Sequence, residues 1–240
     1  MQTEPASPRA RVTAPHRSPA WALPLLTTLL LAGCDADDPD IPAVVRSNVD
    51  EYDAPHQFDS GGSAQSIPGN PDGDAVIVVG FGATVVADGP LDGNALRIDD
   101  TEVRYRAATH AVPDRYQITW TGLRDNHASA PTRIRVEDGN GREAIALRFV
   151  GNDLSIQAGE QLPGPATFST TQAHAVTLVI DMGGAKFARV TVEEDGNTLF
   201  ETPQLDLIDS DFSRLNIVGF QSADGVSYFM RDLIGIAITD

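Results

Sequence analysis

The chain has a single cysteine, Cys34, in 240 residues. No intramolecular disulfide can therefore staple it. Lysine is nearly absent: Lys186 stands alone beside sixteen arginines. Aromatic residues make up 6% of the chain, with Trp21 and Trp120 the two tryptophans. That leaves little from which to build a platform of stacked rings. Positive charge is also scarce. Acids outnumber bases 34 to 17, for a net −17, which argues against nucleic acid as a partner. Beyond residue 34 there is no apolar run of the roughly 20 residues that a membrane-spanning helix needs. Nor is there a stretch with the 3.6-residue apolar period of an amphipathic helix. Catalytic signatures are missing as well. There is no Gly-x-Ser-x-Gly elbow, and no cysteine–histidine group has zinc-ligand spacing. His110, His127 and His174 are isolated and are expected at the surface or at strand edges. Asp59-Ser60-Gly61-Gly62 has the look of a protease nucleophile loop, but it sits in linker-like composition without a partner histidine motif.

What is present begins at the N-terminus. Arg9, Arg11 and Arg17 form a positive segment, followed by an apolar stretch from Ala20 to Leu31. That stretch suits the roughly 7–15 residues of a signal-peptide core. Leu31-Ala32-Gly33-Cys34 comes next. This tetrapeptide resembles the lipobox of bacterial lipoproteins. The resemblance implies lipid transfer to the Cys34 thiol, cleavage between Gly33 and Cys34, and anchoring of the protein to a membrane of the cell envelope. Two or more acyl chains make such anchoring stable, at about 0.8 kcal/mol per buried CH₂. Asp35 resembles an inner-membrane retention signal in enteric bacteria. In other lineages an acidic Asp35-Ala36-Asp37-Asp38 run serves as well for surface export, so inner and outer membrane both stay open.

Three segments are expected: a signal peptide over 1–33, an acidic tether over 34–72 and a folded domain over 73–240. The tether is rich in Asp, Pro, Gly and Ser, and such composition buries too little apolar area to offset the entropy of ordering. As a random coil it would reach roughly 35 Å. From Asp74 onward, apolar and polar residues alternate, the mark of half-buried strands. Leu96 and Ile98 oppose Arg97. Val103 and Tyr105 oppose Glu102, Arg104 and Arg106. Tyr116, Ile118 and Trp120 alternate with Gln117, Thr119 and Thr121, which puts Trp120 in the core. Asp-Gly dipeptides at Asp72, Asp88, Asp92, Asp138, Asp195 and Asp224 suit hairpin turns, because both positions tolerate positive φ. Short strands with frequent turns predict an all-β antiparallel sandwich or barrel.

The stretches His174–Asp181, Phe187–Gly196 and Arg231–Ile238 resemble the second half of concanavalin A-like jelly rolls, the group that includes laminin G-like domains and legume-type lectins. Gly93–Ile98 resembles an early strand of the same fold. The resemblance covers roughly residues 74–240. It implies an antiparallel jelly-roll β-sandwich, a fold that hosts glycan-binding modules, glycoside hydrolases and protein-binding domains alike. The Glu-x-Asp-x-x-Glu strand of one hydrolase branch is absent, and glycoside hydrolysis needs two facing carboxylates. A non-catalytic domain is therefore expected.

Two sets of residues are candidate sites. Calcium is the one ion that the donor set suits, since it takes hard oxygen ligands. The candidates are Asn70, Asp72 and Asp74, then Asp138 and Asn140, and Asp232, whose position resembles a structural calcium ligand of jelly-roll carbohydrate modules. The second set is arginine. Nine bases fall between Arg97 and Arg148 against eight acids, while the flanking segments are strongly acidic. Arg97, Arg104, Arg106, Arg133, Arg135 and Arg148 lie on the polar faces of predicted strands, with Arg104, Arg106, Arg133 and Arg135 the first candidates for a ligand. They form either a basic strip for an anionic glycan or acidic peptide, or cross-strand ion pairs with Glu102, Glu137 and Glu143. The functional expectation is a membrane-anchored envelope lipoprotein whose lectin-like domain meets a glycan or envelope polymer. The alternative is a structural or assembly lipoprotein that contacts another envelope protein.

Overall fold

A computed structural model describes residues 43–52, 54–59, 61, 63–66, 76–80, 82–87, 89–125, 129–163, 169 and 171–239. The chain divides into two units, Met1–Asp37 and Asp38–Asp240. The first, with Cys34 and the expected signal peptide, lies outside the described residues, as do Asn70, Asp72, Asp74 and His127.

The second unit is an antiparallel jelly-roll β-sandwich. In chain order its strands are β1 (Ala43–Ser47), β2 (His56–Gln57), β3 (Ala64–Gln65), β4 (Val76–Gly80), β5 (Ala83–Val86), β6 (Ala95–Arg106), β7 (Arg115–Arg124) and β8 (Thr132–Glu137). They continue with β9 (Glu143–Val150), β10 (Asp153–Ala158), β11 (Glu160–Pro163), β12 (His174–Asp181), β13 (Phe187–Glu194), β14 (Asn197–Glu201), β15 (Leu205–Asp206) and β16 (Ile217–Ile238). A single 3₁₀ turn, Val49–Glu51, is the only helical element among the described residues.

The longest strands, β6 and β16, run through both layers. The first half of β16 pairs with the second half of β6 and with β8. Beyond β8 the sheet continues through β9, β10 and β11. The second half of β16 pairs on one side with the first half of β6 and then β1 and on the other with β7, and that sheet continues through β12, β13 and β14. The two long strands bend together. Their register jumps from Ser222 opposite Thr101 to Ser227 opposite Asp99. Asp100 (φ 46°) and Gly225 (φ 76°) sit in left-handed conformations at this point. Asp and Gly tolerate that region because their side chains are short or absent.

Alternation decides the core. Val103, Tyr105, Val218, Phe220, Ile134, Val136, Leu147 and Phe149 point inward from one layer, and Tyr116, Ile118, Trp120, Val176, Leu178, Ile180, Val190 and Val192 from the other. Trp120 meets Phe220 edge-on across the layers, with ring centroids 5.5 Å apart, and Phe220 meets Tyr105 in the same manner at 5.9 Å. Such pairs contribute about 0.5–1.5 kcal/mol beyond their area.

Two sequence expectations differ from this fold. The segment expected as a tether over 34–72 instead supplies β1, β2 and β3. Val44, Val45, Val49 and Phe58 are buried in the common core, and Tyr52 stacks on His56 while Phe58 meets both rings edge-on. Averaged composition hid these few apolar residues among prolines and aspartates. The second difference is at Asp224-Gly225, which was expected to reverse the chain. Gly225 does take a positive φ, but it lies inside β16 at the bend, where the partner strand is already supplied by β6. Asp195-Gly196 does form the β13–β14 hairpin turn, with both residues at positive φ.

Candidate functional site: a charged sheet face

The side chains that alternate with the core of the first layer make a polar outer face. Three rows cross it. In the middle row, Arg104 on β6, Gly219 on β16, Arg135 on β8 and Ala146 on β9 stand directly opposite one another. On one side lie Glu102, Gln221, Arg133 and Arg148, continued by Ser155 on β10. On the other side lie Arg106, Ile217, Glu137 and Glu143. Strand β4 adds an apolar margin, with Ile77 opposite Arg104 and Val79 opposite Glu102. Val79 is 49% exposed.

The glycine and alanine of the middle row decide how the long side chains lie. Arg135 crosses β16 above Gly219, where a β-carbon would stand 3.3 Å from its Cγ and Nε. That path lets Arg135 Nη2 donate to Glu102 Oε1 on the far strand. Arg135 Nε also lies 2.7 Å from Glu137 Oε1. Its N–H is not aligned for a hydrogen bond, so this second contact is ionic. Arg104 closes the group by gripping Glu102 with both prongs, Nε to Oε1 at 2.8 Å and Nη2 to Oε2 at 3.1 Å. These contacts raise the Arg104 pKa further above its ordinary value, with the Glu102 hydrogen bond the largest cause. Arg133 reaches two rows along, past Ala146, and its Nη2 donates to both oxygens of Glu143 at 2.8 and 2.7 Å. Ala146 is thereby covered. Charge-assisted bidentate contacts of this kind are among the stronger hydrogen bonds in proteins.

Of the six arginines read from the sequence, Arg97 lies beyond the bend of β6 and pairs with Asp99, whereas Arg104, Arg106, Arg133, Arg135 and Arg148 share this face. They do not make a uniformly basic strip. Arg104, Arg133 and Arg135 are paired with Glu102, Glu137 and Glu143, the cross-strand arrangement that alternation also allowed. Arg106 and Arg148 are exposed, and their guanidinium groups make no hydrogen bond or ion pair with the described residues.

The calcium candidates fare differently. Asp138 and Asn140 meet in the β8–β9 turn. Asp138 Oδ1 accepts from the backbone N–H of Asn140 (2.8 Å) and of Arg142 (3.0 Å). Its Oδ2 accepts from the Ser213 hydroxyl at 3.2 Å. Burial pushes the Asp138 carboxyl up, but these hydrogen bonds outweigh it and hold the group below its ordinary range. Asp232 lies elsewhere, at a bulge of β16. It is left-handed (φ 56°) and accepts from Arg231 Nε at 2.8 Å. Among the described residues there is no group of three or more His, Cys, Asp or Glu side chains able to hold a metal ion.

Of the histidines, His174 departs from expectation, and His110 is half-buried. His174 is 1% exposed rather than at the surface, with Nε2 2.9 Å from Glu194 Oε2. His110 bridges the Ala108 carbonyl through Nδ1 (2.6 Å) and the Tyr116 hydroxyl through Nε2 (2.8 Å). Sequence reasoning missed the roles of Gly219 and Ala146. A small residue on a polar strand face carries no signal until its cross-strand neighbours are known.

No family model matches the chain, and no curated protein matches it. Solved structures do. A sialidase aligns at 10% identity and TM-score 0.51, over 70% of this chain and 17% of its own. An endo-β-1,4-glucuronan lyase from the fungus Trichoderma reesei aligns at 13% identity and TM-score 0.49, over 75% and 95%. The binding domain of botulinum neurotoxin DC, in complex with rat synaptotagmin II, aligns at 13% identity and TM-score 0.48, over 75% and 48%. The chain spans less than a fifth of the sialidase. At such identities the likeness is one of fold.

Proposed function

We propose that the chain is a cell-envelope lipoprotein, anchored through lipid on Cys34, whose sandwich is a non-catalytic glycan-binding module. The charged face of β4, β6, β16, β8 and β9 is then its ligand surface. The observation that carries this reading is the Glu102–Arg104–Arg135–Glu137 network. Its charges are held in place by one another, its guanidinium groups keep spare N–H donors, and its carboxylates keep spare lone pairs. Sugar hydroxyls need donors and acceptors in fixed alternation, and a rigid surface lowers the entropic cost of binding. Ile77 and Val79 give the apolar margin against which a sugar ring can lie.

The anchoring half is tested by membrane fractionation and metabolic labelling with palmitate. Wild type should label and sediment with membranes, and Cys34→Ala should do neither. Labelling of the alanine variant would refute it. The binding half is tested on a glycan array with wild type and Glu102→Gln. Retained binding by a folded Glu102→Gln protein would move the ligand surface elsewhere, and no binding by wild type would remove the reading.

A structural or assembly role has one observation in its favour. Strand β14 ends its sheet and is largely exposed, with Leu199 42% exposed. An open edge of this kind is a template for a partner's strand. Capture of another envelope protein that is lost when Leu199 becomes Lys would support it.

A further inference from the structure

Two pairs of like charge stand opposite one another on the charged face, and one of them stays unbalanced. Arg133 on β8 and Arg148 on β9 are directly opposite. Like charges in that relation destabilise a sheet. The other like-charge pair on the face, Glu137 opposite Glu143, is balanced, since Arg135 lies against Glu137 and Arg133 holds Glu143. Arg133 is drawn away toward Glu143 and uses only Nη2 to reach it, which leaves its Nε and Nη1 undirected. Arg148 is exposed and unmatched by any acid among the described residues. Glu143 is already taken by Arg133, and Asp153, diagonal to Arg148 across the β9–β10 pair, makes no ion pair with it. The two arginines are therefore cross-strand neighbours of which only Arg133 is held by a carboxylate, and the Arg148 charge stands unpaired among the described residues of a chain whose formal net charge is −17. Polar, uncharged groups flank them in the same row: Gln221 next to Arg133, and Ser155 next to Arg148. The Ser155 hydroxyl donates to the Arg148 carbonyl at 3.3 Å.

We propose that Arg148, with Arg133, is a subsite for an anionic group on a glycan, a uronate carboxylate or a sulfate, and that Gln221 and Ser155 meet neighbouring hydroxyls of the same sugar. Guanidinium forks match the spacing of carboxylate and sulfate oxygens. An incoming anion supplies the charge that the sheet leaves out, and relieves the repulsion between the two arginines as it binds. This inference rests on the reading of the face as glycan-binding and adds a substrate class to it.

The test is calorimetric titration of the purified protein with three probes: a galacturonate hexamer, a heparin-derived hexasaccharide, and cellohexaose as the neutral control. Wild type is expected to bind at least one anionic probe more tightly than cellohexaose. Arg148→Glu should weaken that binding by about tenfold or more and leave cellohexaose unchanged. Arg148→Lys, which keeps the charge and loses the fork, should fall between. Arg189→Glu is a charge-matched control on β13, in the other sheet, and should cost less than twofold. Because Arg148 is exposed and makes no contact that holds the sheet, its variants should melt with wild type. Tighter binding of the galacturonate hexamer would assign the site to a carboxylate, and tighter binding of the heparin fragment, which carries uronates as well as sulfates, would show that sulfate adds to it. Equal binding of all three probes would overturn the inference and leave the glycan-binding reading standing. Equal losses in Arg148→Glu and Arg189→Glu would overturn it too, by reducing the effect to overall charge. Binding of none of the probes would overturn both.

Discussion

Tyr228 and Trp120 show how much rests on single polar atoms in an apolar core. The Trp120 indole N–H donates to the Tyr228 hydroxyl at 2.9 Å, with both side chains about 2% exposed. Gly122 lies beneath them; a β-carbon there would stand 1.9 Å from the hydroxyl. Burial raises the Tyr228 pKa well above its ordinary value, so the hydroxyl stays neutral. Tyr228→Phe keeps the ring and strands the indole N–H. The expected cost is about 1–3 kcal/mol, read as a lower urea midpoint at unchanged slope. A change below a few tenths would mean that the indole finds another acceptor. His174 has a different consequence. Burial lowers its pKa below the ordinary 6.5, and Glu194 opposes this only in part. The unfolded chain therefore binds the proton first. Stability from this site is complete above about pH 6.5 and falls as pH drops through that value toward the folded one. Between pH 7.5 and 5.5 the urea midpoint of wild type should fall more than that of His174→Gln. Parallel curves would assign the pH dependence to other groups. Trp120 was legible as core from the alternation of β7. His174 was not, because a histidine at a strand start reads alike whether it faces solvent or a buried carboxylate.

Strands were legible where alternation persisted for six residues or more, as in β7, β8, β9, β12 and β13. Turn chemistry was legible too, but its outcome was not always so. Asp195-Gly196 closes a hairpin because β13 has no other neighbour on that side except β14 and the short β15. Gly225 uses the same positive φ merely to bend β16, since a neighbouring strand already occupies its flank. The local signal fixes a dihedral angle, and the pairing of the strands decides what that angle does. The β8–β9 connection shows a third use. Asp138 holds the backbone N–H groups of Asn140 and Arg142 and ties the turn to Ser213 before β16. Hydrogen bonds to a charged group contribute about 1.5–3 kcal/mol. Asp138→Ala should therefore cost about 2 kcal/mol or more in chemical denaturation. Asp138→Asn, which keeps an acceptor at Oδ1, should recover part of the loss. If Asn is no better than Ala, the turn does not depend on these bonds. The charged face obeyed a similar logic. Its residues were visible in the sequence, but whether the arginines stood free or paired depended on Gly219 and Ala146, and hence on register.

At the scale of the whole molecule, the position of β1 changes where the domain begins. Composition placed the start near residue 73, after a long acidic tether. Instead β1 pairs with the last part of β16, from Ala43 opposite Ile236 to Ser47 opposite Leu233. Gly235 permits this approach, since a β-carbon there would stand 2.4 Å from Val45 Cγ1. Residues 35–42 alone separate Cys34 from β1, at most about 30 Å of extended chain. Under the proposed anchoring, this short link brings the domain nearer the membrane than a 38-residue tether would. The domain boundary can be tested directly. Starting the chain at residue 73 removes Val44, Val45, Val49 and Phe58 from the core. At about 1.5–3 kcal/mol for each buried side chain, the upper estimate of the loss is about 6–12 kcal/mol. That is comparable to the whole stability of a typical domain, about 5–15 kcal/mol. It would also leave the β16 edge around Leu233 and Ile236 without its partner strand, a template for aggregation. A variant beginning at residue 43 should melt cooperatively and remain monodisperse, whereas one beginning at residue 73 should be insoluble or lack a cooperative transition. If the shorter variant melted at the temperature of the longer one, the β1 segment would be an accessory to the sandwich rather than part of its core.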